Sequence, residues 1–138
     1  MVSTSPNDSP VSGRGRIITL WILSGLAAVA FVAAGGAKLA GAPAMIAVFE
    51  KVGVGQWFRY VTGLLEVAGA IGLLIPRYAF YAALLLAMVM TGAVIAHLTV
   101  LGGSPAAPVI LLILTGTVAW LRRQQSNGAL TGPGYRRR

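Results

Sequence analysis

Cysteine is absent from this chain of 138 residues. Its absence excludes disulfide scaffolds, thiolate metal sites, Cys-x-x-Cys redox chemistry and cysteine nucleophiles. Any redox role must therefore run through a bound cofactor or a partner. Acid is scarce as well: three Asp+Glu stand against eleven Lys+Arg, for a net charge of +8. Charged residues of both signs make up 10% of the chain, under half of the roughly 25% that a water-soluble domain carries. A single histidine leaves no paired-imidazole haem ligation and no multi-histidine metal centre to be built from this chain alone. The only aspartate, Asp8, lies in an N-terminal stretch rich in Ser, Pro and Gly, so no Ser-His-Asp set is available. Neither a P-loop nor the Rossmann glycine pattern is present.

What the chain does contain is apolar, at 57% of its residues. Four stretches approach the about 20 apolar helical residues that cross a bilayer core. Residues 17–37 carry no charge, residues 60–75 one acid (Glu66), and residues 78–101 one ionisable group (His97). Residues 105–121 have none and run into the pair Arg122, Arg123. The runs are continuous, without the alternation of a strand. The expected fold is therefore all-α, a four-transmembrane-helix bundle with spans at about 17–38, 57–75, 78–101 and 105–121. Ala28-Val29-Ala30 resembles a signal cleavage site, but the apolar run continues to Ala37, beyond the about 7–15 residues of a signal h-region. The first span is accordingly read as retained. Between the first two spans, residues 43–54 place Met45, Ile46, Phe49 and Val52 at helical spacing, with Glu50 and Lys51 on the other face. That pattern is a short amphipathic helix, lying in the membrane interface or folding over the bundle as a lid.

Charge distribution sets the expected topology. With both termini cytoplasmic, that side holds Arg14, Arg16, Arg77, Arg122, Arg123 and the three terminal arginines; the other side holds Lys38, Lys51 and Arg59. This is the positive-inside arrangement of a multi-pass protein of the plasma (inner) membrane. Trp57 and Tyr60 fall near the outer interface and Trp21, Tyr78, Tyr81 and Trp120 near the inner one, as aromatic belts do. The cations cluster at segment ends and not along a recognition helix, so the partner they imply is the lipid bilayer and not nucleic acid. Composition divides the chain into a disordered arm (1–13), a membrane domain (14–123) and a flexible basic tail (124–138).

Four ionisable groups lie within or at the ends of the spans: Lys38, Arg59, Glu66 and His97. Such residues are costly in lipid and face the bundle interior or a partner. Counting from Trp57 at about 1.5 Å per residue puts Glu66 roughly 13 Å deep, near the midplane. Arg59, seven residues earlier, shares its face, and the stripe Arg59, Thr62/Gly63, Glu66, Gly69/Ala70 is polar or small throughout. The expectation is an outward-biased polar pocket of Lys38, Arg59, Glu66 and His97 among the first three spans. Bland readings stand beside it: Lys38 snorkelling to the outer headgroups, Arg59 as an interfacial anchor, His97 as an interhelical hydrogen bond and Glu66 as a helix lock. Small residues four apart, at Ala30/Ala34, Ala37/Gly41 and Ala68/Gly72, serve close packing within the bundle or between two copies.

The order of these residues carries a resemblance. A first span ending Gly-Gly-Ala-Lys38 is followed by Tyr60-Val-Thr-Gly-Leu-Leu-Glu66-Val-Ala-Gly, then Leu74-Ile-Pro76-Arg77, then Met90-Thr-Gly-Ala-Val-Ile-Ala-His97. Over residues 17–121 the chain resembles the DoxX family, in its DoxX-like branch of small four-helix membrane proteins. The resemblance implies Lys38, Glu66 and His97 as pattern residues. It also implies association with redox systems, since founding members accompany a thiosulfate:quinone oxidoreductase. On that footing the chain is expected to be a non-catalytic or quinone-associated membrane subunit, with a quinone as its cofactor and an oxidoreductase as its partner. Two alternatives come from the residues. A small proton-coupled transporter would use Glu66, although small multidrug exporters carry their glutamate in the first span and not the second. A membrane scaffold or assembly factor would need no ligand.

Overall fold

A computed structural model describes residues 11–130. Its helices are α1 (Val11–Leu39), α2 (Pro43–Val52), α3 (Gln56–Leu74), α4 (Ala79–Ala96) and α5 (Ala106–Leu130), and α4 runs on into a π-helical turn at His97–Leu101. Among the described residues there is no strand. Four segments are long and apolar enough to cross a membrane: Gly13–Leu39, Gln56–Leu74, Ala79–Leu101 and Ala106–Gln125. The all-α four-span bundle expected from the apolar runs is the fold observed, each span within a few residues of its expected limits.

The helices extend further than composition indicated. α1 begins at Val11 and α5 continues to Leu130, so residues 11–13 and 124–130 are helical where Ser, Gly and Gln pointed to irregular chain. A helix already nucleated in a span adds each further residue at little cost. The rest of the arm and the tail, with Arg136, Arg137 and Arg138, lies outside the described residues.

α1 packs on α3 and α5, and α4 packs on the same two helices. The spatial order is therefore α1–α3–α4–α5, closed into a bundle by α5 returning to α1. Phe31, Leu73, Leu86 and Val118 fill the interior with Ala27, Ala70 and Ala83. Much of the outer surface is as apolar as the core: Val29, Tyr81, Met88 and Leu98 are all more than 65% exposed. A water-soluble bundle would place polar residues there; this surface suits lipid. Small residues set the helix spacing. A Cβ on Gly72 would come within 2.8 Å of the Ala82 methyl, so Gly72 is an α3–α4 contact within the bundle.

α2 is the short amphipathic helix expected between the first two spans. Phe49 is buried, while Glu50 and Lys51 are exposed. Its apolar face lies on α3 and on the π-helical turn. Lys51 Nζ donates to the Leu101 carbonyl at 2.6 Å, tying α2 across the end of α4.

Candidate functional site

Lys38 and Glu66 meet because two antiparallel helices aim their side chains at each other. A helical Cα–Cβ bond tilts toward the helix N-terminus. Lys38, next to last in α1, therefore leans down into the bundle, and Glu66 in the middle of α3 leans up toward it. The helices approach closely enough because glycine faces glycine: a Cβ on Gly35 would stand 2.8 Å from the Gly63 carbonyl oxygen, and one on Gly63 3.1 Å from that of Gly35. Each glycine precedes its charged residue by three positions, one turn away on the same face. Lys38 Nζ donates to Glu66 Oε1 at 2.9 Å and to Oε2 at 2.7 Å. The side chains are 15% and 1% exposed, respectively. Lys38 thus turns inward to a carboxylate and does not snorkel to the outer surface.

Arg59, two turns above Glu66, is 4% exposed and closes the same contact from above. Its Nη1 donates to the Lys38 main-chain carbonyl and its Nε to Gln56 Oε1 at 2.8 Å. Gln56 Nε2 in turn donates to the Ile46 carbonyl of α2 at 3.1 Å. A continuous chain of polar contacts thereby runs from α2 through Gln56, Arg59 and the end of α1 to Lys38 and Glu66. The end of α1 is shaped to receive the arginine. Gly41 has φ +71°, the Ala42 N–H returns to the Ala37 carbonyl and the Gly41 N–H to that of Lys38, which together form a Schellman cap. A guanidinium beside it complements the negative end of the helix dipole. The Ala37/Gly41 spacing thus includes a helix cap: Gly41 is required for its left-handed backbone.

His97 is not part of this group. No hydrogen bond links it to Lys38, Arg59 or Glu66. Its Nδ1 lies 2.9 Å from the Ala93 carbonyl, one turn back on α4. It lines a separate cavity of about 380 Å³ between α2, α3 and α4, whose walls include Phe49, Phe58, Thr62, Leu65 and Met88. A carbonyl can only accept, so Nδ1 donates in that contact and Nε2 is the ring nitrogen left for another partner. Met88 is 67% exposed, which places the mouth of the cavity on the lipid-facing surface. Nearly all of its lining is apolar.

The anchor residues divide between the two ends of the bundle. Trp120, 60% exposed, stands at the arginine-rich end; Trp57, 61% exposed, stands at the α2 end, where its Nε1 donates to the Val54 carbonyl at 3.0 Å. At the opposite end Arg14 and Arg77 are exposed. Arg16 donates to the Leu121 carbonyl at 2.9 Å and to Gln124 at 3.0 Å, and Arg122 lies 5.9 Å over the Trp21 ring. Arg123 is exposed beside it. Among the described residues, no three His, Cys, Asp or Glu side chains stand together as metal ligands.

Residues 22–121 match the model of the DoxX-like family. The chain belongs to the DoxX-like family. With four helices able to span a bilayer, this DoxX-like protein is an integral, multi-pass membrane protein. Among curated proteins and solved structures, nothing matches the chain. Of the three residues that the resemblance implied, Lys38 and Glu66 bond to each other and His97 stands apart on the cavity beside α2. Gln56 was not singled out from sequence, nor was the grouping of Phe49, Thr62 and His97 around one cavity; Gly63 stood there in the small or polar stripe of the second span and Gly35 in the run that ends at Lys38. The glycines carried the one available signal, each standing three residues before a charged residue.

Proposed function

We propose that this DoxX-like protein is a non-catalytic membrane subunit that holds a lipid-soluble ring compound of the quinone class between α2, α3 and α4, for an oxidoreductase partner. One observation carries the reading: a cavity of about 380 Å³, apolar apart from His97 and Thr62, that opens toward lipid. Binding sites for small molecules are of this size and character, with few polar groups to fix orientation. Because Nδ1 is engaged by Ala93, Nε2 is the nitrogen left to meet a ligand, and in the neutral tautomer that this contact selects it would be an acceptor. It would take the O–H of a hydroquinone in preference to the carbonyl of the oxidised ring. Both oxygens of Glu66 are engaged by Lys38, which supports a locking role for that pair over the proton carrier a transporter needs. The positive-inside balance supports a plasma-membrane location with both termini cytoplasmic.

The test is a titration of the protein in lipid nanodiscs with a short-tailed hydroquinone and with its oxidised form. Saturable binding that favours the reduced form, and its loss in His97→Leu at an unchanged melting temperature, is the expected result. Binding that His97→Leu leaves intact, or no binding of either form, would reject the reading.

A further inference from the structure

Among the described residues, the end of the bundle that carries the start of α1 and the close of α5 gathers cations and no acid. Glu50 and Glu66 are the acids among the described residues. Glu66 is held by Lys38 in the middle of α3, and Glu50 lies on α2 at the other end. Arg77, Phe80, Tyr81, Arg122 and Gln125 help to line a cavity of about 490 Å³ at the arginine-rich end. Arg122, which also lines that cavity, has its Nε and Nη2 buried with no hydrogen-bond partner. The Trp21 ring, 5.9 Å from the guanidinium carbon, offers a π face but no acceptor atom in the plane of those N–H groups. Such a guanidinium fits a phosphate, which can accept two parallel hydrogen bonds.

A second concavity begins where the first ends. Tyr81 also lines a groove of about 380 Å³ between α3 and α4, with Ala68, Ile71, Gly72, Ala82 and Leu85. That groove is apolar and leads from the arginines along the helices toward the middle of the bilayer. We propose that the two form one site for an anionic phospholipid, with its phosphate on Arg122 and Arg77 and an acyl chain laid along the α3–α4 groove. A soluble phosphate would account for the basic cavity alone; the adjoining groove selects a ligand with a tail.

The experiment uses the full chain, stripped of lipid in detergent, and reads bound lipid by native mass spectrometry. Phosphatidylglycerol, phosphatidylcholine and inorganic phosphate are the probes. Phosphatidylglycerol is expected to bind at least about fivefold tighter than phosphatidylcholine, the contribution of one arginine near a membrane surface. Arg122→Gln and Arg77→Gln should each reduce that preference; Arg77 is exposed, so its variant keeps the fold and the test stays decisive. Ala68→Trp, at an exposed groove position, should weaken both lipids and leave the preference between them unchanged. Equal binding of the two lipids, or a preference that survives both arginine changes, would overturn the proposal. Displacement of phosphatidylglycerol by millimolar inorganic phosphate, with no effect of Ala68→Trp, would overturn it too and assign the cavity to a soluble anion.

Discussion

Replacing Lys38 with methionine keeps a long unbranched side chain but withdraws the ammonium from both oxygens of Glu66. The carboxylate would be left 1% exposed in the middle of a spanning helix with no cation beside it. Losing one member of a buried pair in this way costs about 3–5 kcal/mol. Glu66→Leu should do less harm. Lys38 is next to last in α1 and already 15% exposed, so without its partner its stem can carry the amine outward. About 1.5–3 kcal/mol, the worth of the charged hydrogen bonds alone, is then expected. The double variant Lys38→Met/Glu66→Leu removes both charges and should return to within about 1 kcal/mol of the wild type, since apolar replacement of a buried pair is often neutral. Reversible unfolding in mixed micelles, followed by circular dichroism, measures all four corners of the cycle. Additive single effects, or a Lys38→Met midpoint equal to wild type, would refute the reasoning.

Two neighbouring glycines should respond with opposite signs. Gly35→Ala drives a methyl to 2.8 Å from the Gly63 carbonyl oxygen and should cost about 1–3 kcal/mol, whereas Gly36→Ala meets nothing within 4 Å and should gain about 0.5–1 kcal/mol from helix propensity; the same unfolding assay reads both. Because the chain has no cysteine, introduced thiols report topology cleanly. Glu50→Cys should react with an impermeant maleimide in intact cells and Gly13→Cys only after permeabilisation; the reverse pattern would overturn the orientation.

The spans, the short helix after the first of them and the buried stripe of α3 were all legible in the sequence, because each depends on periodicity and run length within one segment. Glu66 was legible for the same reason: depth along a helix follows from counting. What a single sequence withholds is the direction in which each helix faces its neighbours. Lys38 had two destinations open to it, and the choice fell to the Gly35–Gly63 approach, a contact between segments 28 residues apart. His97 faces the α2 side of α3, while Glu66 faces α1. One polar pocket expected from depth is therefore two sites in space. The π-helical turn that begins at His97 had no composition signal, and π-turns of this kind often mark functional positions. Arg59 was read as an anchor or a pocket residue. It is a buried donor to the end of α1, a role that depends on a helix end in another part of the chain.

The most direct measurement sets the two sites side by side: hydroquinone affinity and melting temperature for His97→Leu and for Lys38→Met/Glu66→Leu in one lipid composition. The account predicts that the histidine variant loses affinity at constant stability, and that the doubly neutralised variant still binds. A folded double variant that loses as much affinity as His97→Leu would contradict it.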